Sequence, residues 1–143
     1  MDELIFNASN GSFQAGEHFK ISRHTTLDEL ISCFADHRLK FINHENGWLH
    51  VNVRNVRFGE YWFSFLFYYF EGLLIEIDFG ANDQEVVCSW DGWSETEEMR
   101  CLKLYENWLY KQTGTIETHF PWGRIGAYYD SKMGGSVIRL QYK

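Results

Sequence analysis

The sequence predicts an α+β domain in which a largely antiparallel sheet, built from hairpins, carries two packed helices. The first observation behind this prediction is that glycine-containing dipeptides separate successive apolar runs, as turns separate the strands of hairpins. The second is that two segments have the apolar spacing of a helix. Strands and helices do not alternate regularly along the chain, which argues against a parallel sheet of βαβ units.

Length and composition indicate one folded domain. The chain has 143 residues, a common size for a single domain, and 18% of them are aromatic, with a single proline. Such a composition excludes the disordered and low-complexity classes. Since no linker or repeat interrupts the sequence, we expect a single α+β domain over residues 1–143.

Four dipeptides mark predicted hairpin turns, namely Asn10-Gly11, Asn46-Gly47, Glu71-Gly72 and Gly134-Gly135. Asn-Gly is typical of the type I′ turn, because both of its residues tolerate a positive φ. Each turn joins two runs that have the character of neighbouring strands. The predicted strands are 4–6, a short strand from Phe13 onward, 39–44, 48–57, 61–70, 73–79, 123–129 and 136–142.

The first predicted helix covers residues 26–37. Thr26 and Glu29 have the spacing of a capping box, in which each side chain accepts a hydrogen bond from the other residue's backbone N–H. Apolar positions at helical spacing predict the face that packs on the sheet. That face consists of Leu27, Leu30, Ile31 and Phe34.

The second predicted helix covers residues 94–112. Ser94 and Glu97 form another capping box at its start, and Gly114 lies where helices often end with a left-handed residue. The helix has one apolar stripe, which we expect to pack on the sheet. The stripe consists of Cys101, Leu102, Tyr105, Trp108 and Leu109.

The strand patterns predict which sheet face is covered. In strand 73–79 apolar residues alternate with Glu76 and Asp78, so one sheet face is predicted to be covered and the other to face water. Strand 61–70 is apolar on both faces. This pattern favours a central strand covered on both sides; the alternative is an exposed aromatic patch that binds something.

Motifs for metal, cofactor or enzyme chemistry are missing from the sequence. Cys33, Cys88 and Cys101 lack the spacing of a zinc site, and the six histidines are scattered. His44 and His50 flank a predicted turn and can approach each other, but two ligands do not complete a zinc site. Nucleophile-elbow and phosphate-loop motifs are absent as well. We expect no metal, no cofactor and no catalytic activity.

Charge and targeting signals restrict the partners. The formal net charge is -7, so phosphate backbones and anionic lipid repel the chain, whereas a basic protein is an allowed partner. We therefore expect no direct binding to nucleic acid or to membranes. The chain starts without a signal-peptide pattern, and its longest apolar run, 61–70, is shorter than the ~20 residues that span a bilayer. A cytoplasmic location is expected.

Acidic residues are concentrated in the middle of the chain. Residues 58–99 contain ten acids and no Lys, Arg or His. Carboxylates around rigid aromatic side chains suit an interface for a basic protein, because charge accelerates the encounter and tryptophan anchors the complex. The predicted partner-binding residues are Asp78, Asp83, Glu85, Trp90, Asp91 and Trp93. The alternative is that the two tryptophans only pack against the start of the second helix.

The second half of the chain carries a family resemblance. Residues 89–94, with the sequence SWDGWS, precede the helix that contains Trp108, and residues 121–125, with the sequence PWGRI, follow it. This layout, over about residues 60–142, is similar to that of small bacterial proteins. In size, acidity and aromatic content the chain resembles the immunity proteins of bacterial toxin–immunity loci, including polymorphic-toxin and contact-dependent-inhibition loci. The resemblance implies a non-enzymatic inhibitor of a cognate toxin and transfers no site residue.

Three functional hypotheses follow. The leading one is a cytoplasmic immunity protein that binds a basic toxin, such as a nuclease, in stoichiometric amounts. The alternative is a small-ligand-binding or enzymatic α+β domain in which the aromatic strand 61–70 lines a pocket. The third is a structural subunit that buries this strand against a second copy, as a homodimer.

Overall fold

The computed structural model describes residues 2–86, 94–132 and 135–143, and it confirms the α+β class with a largely antiparallel sheet system. The elements in chain order are β1 (Ile5–Asn7), β2 (Ser12–Ala15), β3 (Phe19–Ile21), α1 (Leu27–Cys33), β4 (Leu39–Asn43), β5 (Trp48–Phe58), β6 (Tyr61–Phe70), β7 (Leu73–Asn82), α2 (Glu95–Thr113), β8 (His119–Phe120), β9 (Gly123–Asp130) and β10 (Gly135–Tyr142).

The strands form two sheets. β1, β2 and β3 make a three-stranded sheet, and the remaining strands make a seven-stranded sheet with the order β4-β5-β6-β7-β10-β9-β8. The neighbours in both sheets are antiparallel. β10 lies between β7 and β9, so that Arg139 is opposite Asp78 on one side and Gly126 on the other. The last strand of the chain therefore joins the two halves of the sheet.

The core lies on one face of the seven-stranded sheet. Phe63, Phe65 and Phe67 point to this face from alternate positions of β6, with ring centroids 5.9 Å and 5.4 Å apart. The three-stranded sheet covers them through Phe13, whose ring lies 6.5 Å from that of Phe65. The C-terminal end of α1 covers them through its C-cap residue Phe34, whose ring lies 5.9 Å from that of Phe65. Both the small sheet and α1 thus pack against the phenylalanine row.

α2 packs on the same face, as the sequence predicts. The Trp108 ring lies 5.7 Å from Phe63 and 5.6 Å from Phe79, both edge-on. One turn earlier, the buried Tyr105 hydroxyl donates a hydrogen bond of 2.7 Å to Asn82 Oδ1 on β7. Packing and a satisfied polar contact together fix the position of α2.

The helix caps confirm the capping box predicted at α1 but only one half of that predicted at α2, where both Glu97 carboxylate oxygens accept hydrogen bonds from Arg100. Thr26 and Glu29 form the predicted capping box. The Ser94 side chain accepts a hydrogen bond from Glu97 N–H, and Gly114 ends α2 with a φ of 71°.

Some helix predictions are wrong in detail. α1 ends at Cys33 rather than at residue 37, because Phe34 leaves helical geometry with its N–H bonded to Ile31. Ile31 is 38% exposed and does not belong to the core. Leu102 and Leu109 are half-buried, so Tyr105 and Trp108 supply the buried part of the α2 stripe.

The strand β6 is central, but its second face is not covered. It pairs with β5 on one side and β7 on the other. Trp62, Ser64, Leu66, Tyr68 and Phe70 are half-buried, whereas the residues between them are buried. The prediction that both faces are covered is therefore wrong, and the alternative of a partly exposed aromatic face describes the strand better.

Of two predicted hairpin turns, the one at Glu71-Gly72 has the expected geometry and the one at Asn46-Gly47 does not. At Glu71-Gly72 both residues have a positive φ, 48° and 83°, as a two-residue type I′ turn requires. At Asn46-Gly47 the positive φ values fall on Glu45 and Gly47, and His44 N–H donates to the Trp48 carbonyl. This loop is thus longer than the predicted two-residue turn. Gly134 lies outside the described residues.

We expect Trp108→Ala to lower the free energy of unfolding by about 3–5 kcal/mol, because the indole is 3% exposed and its removal leaves a cavity. Leu102→Ala, in the half-buried part of the same helix, should cost less than about 2 kcal/mol. Urea unfolding of both variants measures the difference. Equal losses would contradict the assignment of Trp108 as the main contact of α2.

Candidate functional site

The face of the seven-stranded sheet opposite the core, here called the open face, carries a polar row that crosses five strands. His50 on β5 is paired with Tyr68 on β6, and Tyr68 with Glu76 on β7. Glu76 is paired with Gln141 on β10, which is paired with Arg124 on β9. Since paired residues point to the same side of a sheet, these side chains are neighbours.

An ion pair between β7 and β10 lies at the centre of the open face. Arg139 Nε donates to Asp78 Oδ1 at 3.0 Å, and Nη2 donates to Oδ2 at 3.2 Å. The Tyr68 hydroxyl donates to the same Oδ2 at 3.1 Å. Asp78 is only 7% exposed. Its carboxylate is thus occupied by three donors.

Glu76 lies beside this pair, and its pKa is raised. Burial raises the pKa of Glu76; the hydrogen bond from Gln141 opposes this shift, and the charge of Asp78 adds to it. The Gln141 amide nitrogen donates to Glu76 Oε1, and Arg124 Nε donates to Gln141 Oε1. Gln141 therefore links the exposed Arg124 to the half-buried carboxylate.

The aromatic end of the polar row contains two histidines in contact. His44 Nε2 and His50 Nδ1 are 3.1 Å apart, and the His50 ring lies 4.3 Å from that of Tyr68. This confirms that the two histidines approach across the hairpin. Burial and the neighbouring His44 lower the pKa of His50. Burial and Asp78 raise the pKa of Tyr68, so its hydroxyl keeps its proton and donates.

The remaining groups of interest are the side chains that could bind a metal ion and the cysteine thiols. In residues 2–86, 94–132 and 135–143, no three or more His, Cys, Asp or Glu side chains are arranged to hold a metal ion. Cys33 and Cys101 are free and half-buried, and burial raises the pKa of each thiol. A thiol with a raised pKa is a weak nucleophile.

Two of the predicted partner-binding residues, Asp83 and Glu85, follow the end of β7 and are exposed. Arg100 from α2 contacts Asp83 at 3.0 Å and Glu97 at 2.7 Å. Hydrogen bonds from Arg100 lower the pKa of Asp83. The segment that carries both acids is thereby tied to the first turns of α2.

Asn55 also holds this segment. Its side-chain amide donates to the Val86 carbonyl at 3.1 Å and accepts from the Val86 N–H at 2.9 Å. Asn55 has a φ of 53° and lies where the β5–β6 register shifts between Val53 and Val56. Asn55 is not among the residues predicted from the sequence, although the three-residue spacing of these valines breaks strand alternation and indicates a bulge.

Three of the six predicted partner-binding residues, Asp78, Asp83 and Glu85, lie in the part of the chain that the structure describes, and they fall in two places. Asp78 is buried and ion-paired on the open face, whereas Asp83 and Glu85 are exposed beyond the end of β7, about 16 Å along the backbone from Asp78 to Asp83 at 3.3 Å per residue. Trp90, Asp91 and Trp93 lie outside the described residues.

Comparisons of the chain with protein-family models, with curated proteins and with solved structures give no match. None of the helices in the described part of the chain is long and apolar enough to cross a membrane.

We expect Glu76 to make stability depend on pH. Above its ordinary pKa of 4.5 and up to its raised folded value, the folded protein keeps a proton that the unfolded chain releases. Stability therefore decreases as pH rises through this range. Glu76→Gln, which retains an acceptor for Gln141, should remove this part of the pH dependence in urea unfolding. The exposed Glu117→Gln is the control, and an unchanged profile in Glu76→Gln would contradict the assignment.

Proposed function

We propose that the chain is a non-enzymatic, acidic binding protein: a cytoplasmic immunity protein that neutralises a cognate basic toxin, such as a nuclease, by stoichiometric binding. The observation that carries this proposal is one acidic end of the molecule. It comprises the segment after β7 and the first turns of α2, and is here called the acidic end. Its carboxylates are Asp83, Glu85, Glu95, Glu97 and Glu98.

Some carboxylates of the acidic end already bind other residues of the chain, and others do not. Asp83 and Glu97 share Arg100. Glu98 accepts a hydrogen bond from Ser136 N–H at 2.9 Å. Glu85 and Glu95 are exposed and make no ion pair with any described residue. These last two are the charges most available to a partner.

A basic partner fits this end for two physical reasons. Exposed like charges raise the rate of encounter with an oppositely charged surface, and nucleases present basic surfaces to phosphate. In addition, Asn55 and Arg100 hold the acidic segment in place, which reduces the entropy lost on binding. The sequence also assigns Trp90 and Trp93 to the adjoining stretch as anchors.

The decisive experiment uses the product of the reading frame directly upstream of the gene. Its toxicity on expression is measured with and without this chain, and the two purified proteins are mixed and analysed by size exclusion with light scattering. A 1:1 complex and full inhibition at equimolar ratio support the proposal. Absence of a complex together with undiminished toxicity would refute it. The mass of the chain alone tests the homodimer hypothesis.

Charge variants test whether the acidic end accelerates association. Glu85→Lys combined with Glu95→Lys should lower the association rate by roughly 3- to 10-fold at low salt, and the effect should shrink as salt rises. Arg100→Gln should raise the rate, because it unmasks Asp83 and Glu97. Stopped-flow mixing at several ionic strengths measures both.

The matched control is Asp36→Lys, an exposed acid after α1 and outside the acidic end. It should change the association rate less than the Glu85 and Glu95 reversals do. If Asp36→Lys lowers the association rate as much as the Glu85 and Glu95 reversals do, only the net charge matters and the proposed interface is contradicted. The proposal also requires that the reversals lower the rate and that Arg100→Gln raises it.

A second candidate function, binding of a small ligand, is favoured by a different observation. The open face combines half-buried aromatic side chains with the fixed polar row around Arg139 and Asp78. Cavities adjoin this row, and a cavity with a few convergent polar groups is the usual form of a ligand site.

A further inference from the structure

Two adjoining cavities lie at the β9–β10 side of the seven-stranded sheet, with volumes of about 250 and 560 Å³. The smaller one is on the open face, and the larger one extends from Arg124 and Gln141 around the end of the strands to Phe120 and Tyr142. They share Arg124 and Gln141. The smaller cavity is lined by Arg124, Tyr128, Arg139 and Gln141. The larger one adds Ile75, His119, Phe120, Gly123, Tyr142 and Lys143. Together they fall within the range of about 300–1,000 Å³ that small-molecule sites occupy.

The cavity walls have the opposite charge character to the chain as a whole. The formal net charge of the protein is -7, yet no Asp or Glu is among the residues that line either cavity. Three acids nevertheless lie beside Arg139: Asp78 at 3.0 Å, Glu76 at 3.7 Å and Asp130 at 3.9 Å. They offset its charge, whereas Arg124 makes no ion pair with a described residue, so Arg124 carries the charge that a ligand meets.

Both guanidinium groups retain free donors. Arg139 uses Nε and Nη2 on Asp78, and Nη1 has no hydrogen bond to a described residue. Arg124 uses Nε on Gln141, which leaves both of its Nη groups without a partner in the described chain. Because these contacts already fix the two side chains, little entropy is lost when they bind an anion. Arginine binds carboxylates through two parallel N–H donors.

A glycine shapes the smaller cavity. A Cβ at position 126 would lie 2.5 Å from the Tyr128 hydroxyl oxygen, so the glycine lets the phenol lie against the sheet. Tyr128 is 42% exposed and lines the cavity with the two arginines. Its hydroxyl is a further donor for an anion.

The larger cavity provides apolar surface. Ile75, Phe120 and Tyr142 contribute to its lining, and the Phe120 ring is stacked on Trp122 with centroids 5.4 Å apart. A stacked ring offers a rigid apolar wall at little entropic cost.

We propose that these two cavities form a binding site for a small carboxylate with an apolar body. Arg124 binds the carboxylate, with Arg139 Nη1 and the Tyr128 hydroxyl as additional donors, and the apolar body packs against Ile75 and Phe120. This inference rests on the second candidate function and names its ligand class. It is independent of the immunity function, since none of these residues belongs to the acidic end.

Titration of the full chain with benzoate and with benzamide tests the inference. The two probes have the same ring and nearly the same shape, and they differ in charge. Benzoate should bind at least about tenfold more tightly, as measured by calorimetry and by shifts of the β9 and β10 amides in NMR. Equal affinities for benzoate and benzamide would support small-ligand binding but would overturn the inference that the ligand is a carboxylate. If neither probe binds, both the small-ligand function and the carboxylate inference are overturned. The proposal that the chain forms a complex with a toxin is not affected by that result.

Competition with inorganic phosphate tests whether the site requires an apolar body as well as an anionic group. If phosphate competes with benzoate at equal concentration, the site recognises anions without regard to the apolar body, and that part of the inference is overturned. Weak or absent competition supports it.

Variants locate the site. Arg124→Gln should reduce benzoate affinity about tenfold and leave benzamide affinity unchanged, since Arg124 is exposed and its loss should not unfold the sheet. Tyr128→Phe, which removes only the hydroxyl, should give a smaller reduction. The exposed Arg38→Gln, between α1 and β4, is the matched control. Unchanged benzoate binding by Arg124→Gln would overturn the proposed site.

Discussion

Burial of the phenylalanine row on β6 is the constraint on which the rest of the structure depends. Phe63, Phe65 and Phe67 are each 2% exposed or less, and burying such a side chain contributes about 1.5–3 kcal/mol. The small sheet, α1 and α2 all reach this row, through Phe13, Phe34 and Trp108. Because all three lie on the same side of the seven-stranded sheet, they leave its other face uncovered. The open face, and every polar group on it, is therefore a consequence of where the aromatic core formed.

The Asp78–Arg139 pair compensates the cost of burying a carboxylate on the open face. Asp78 is nearly buried between Tyr68 and β10, and a buried carboxylate without partners would be strongly destabilising. Arg139 donates two hydrogen bonds to this carboxylate, and the same contacts fix the guanidinium beside the smaller cavity. Loss of Arg139 would leave Asp78 without an ion pair to a described residue, whereas loss of Asp78 would leave Arg139 beside Glu76 at 3.7 Å and Asp130 at 3.9 Å. The buried acid therefore depends on the arginine more than the arginine depends on the acid.

Local signals in the sequence predict the elements well but predict the site poorly. Capping residues, turn glycines and strand alternation locate α2, β6 and the Glu71-Gly72 turn within a few residues, because each depends on neighbours in the chain. The burial of Asp78 depends instead on Arg139, 61 residues later, and no short-range pattern encodes that pairing. The same holds for Asn55, which binds Val86 across 31 residues. Exposure of Asp83 and Glu85 was predictable, since acidic side chains are rarely buried without a partner.

Two surfaces of opposite chemical character can operate on this one domain because they act over different distances. Asp83, which follows β7, is about 16 Å along the backbone from Asp78, beyond the screening length of about 8–10 Å at physiological salt. Its field is therefore weak at Arg139, while at low salt it still extends into solvent and accelerates encounter with a basic surface. Glu98 is nearer, because it accepts a hydrogen bond from Ser136, three residues before Arg139 on β10. At the cavities, Asp78 cancels most of the charge of Arg139, so recognition there depends on hydrogen bonds that form only at contact. An acidic protein can in this way repel anions from most of its surface and still bind a carboxylate at one built position.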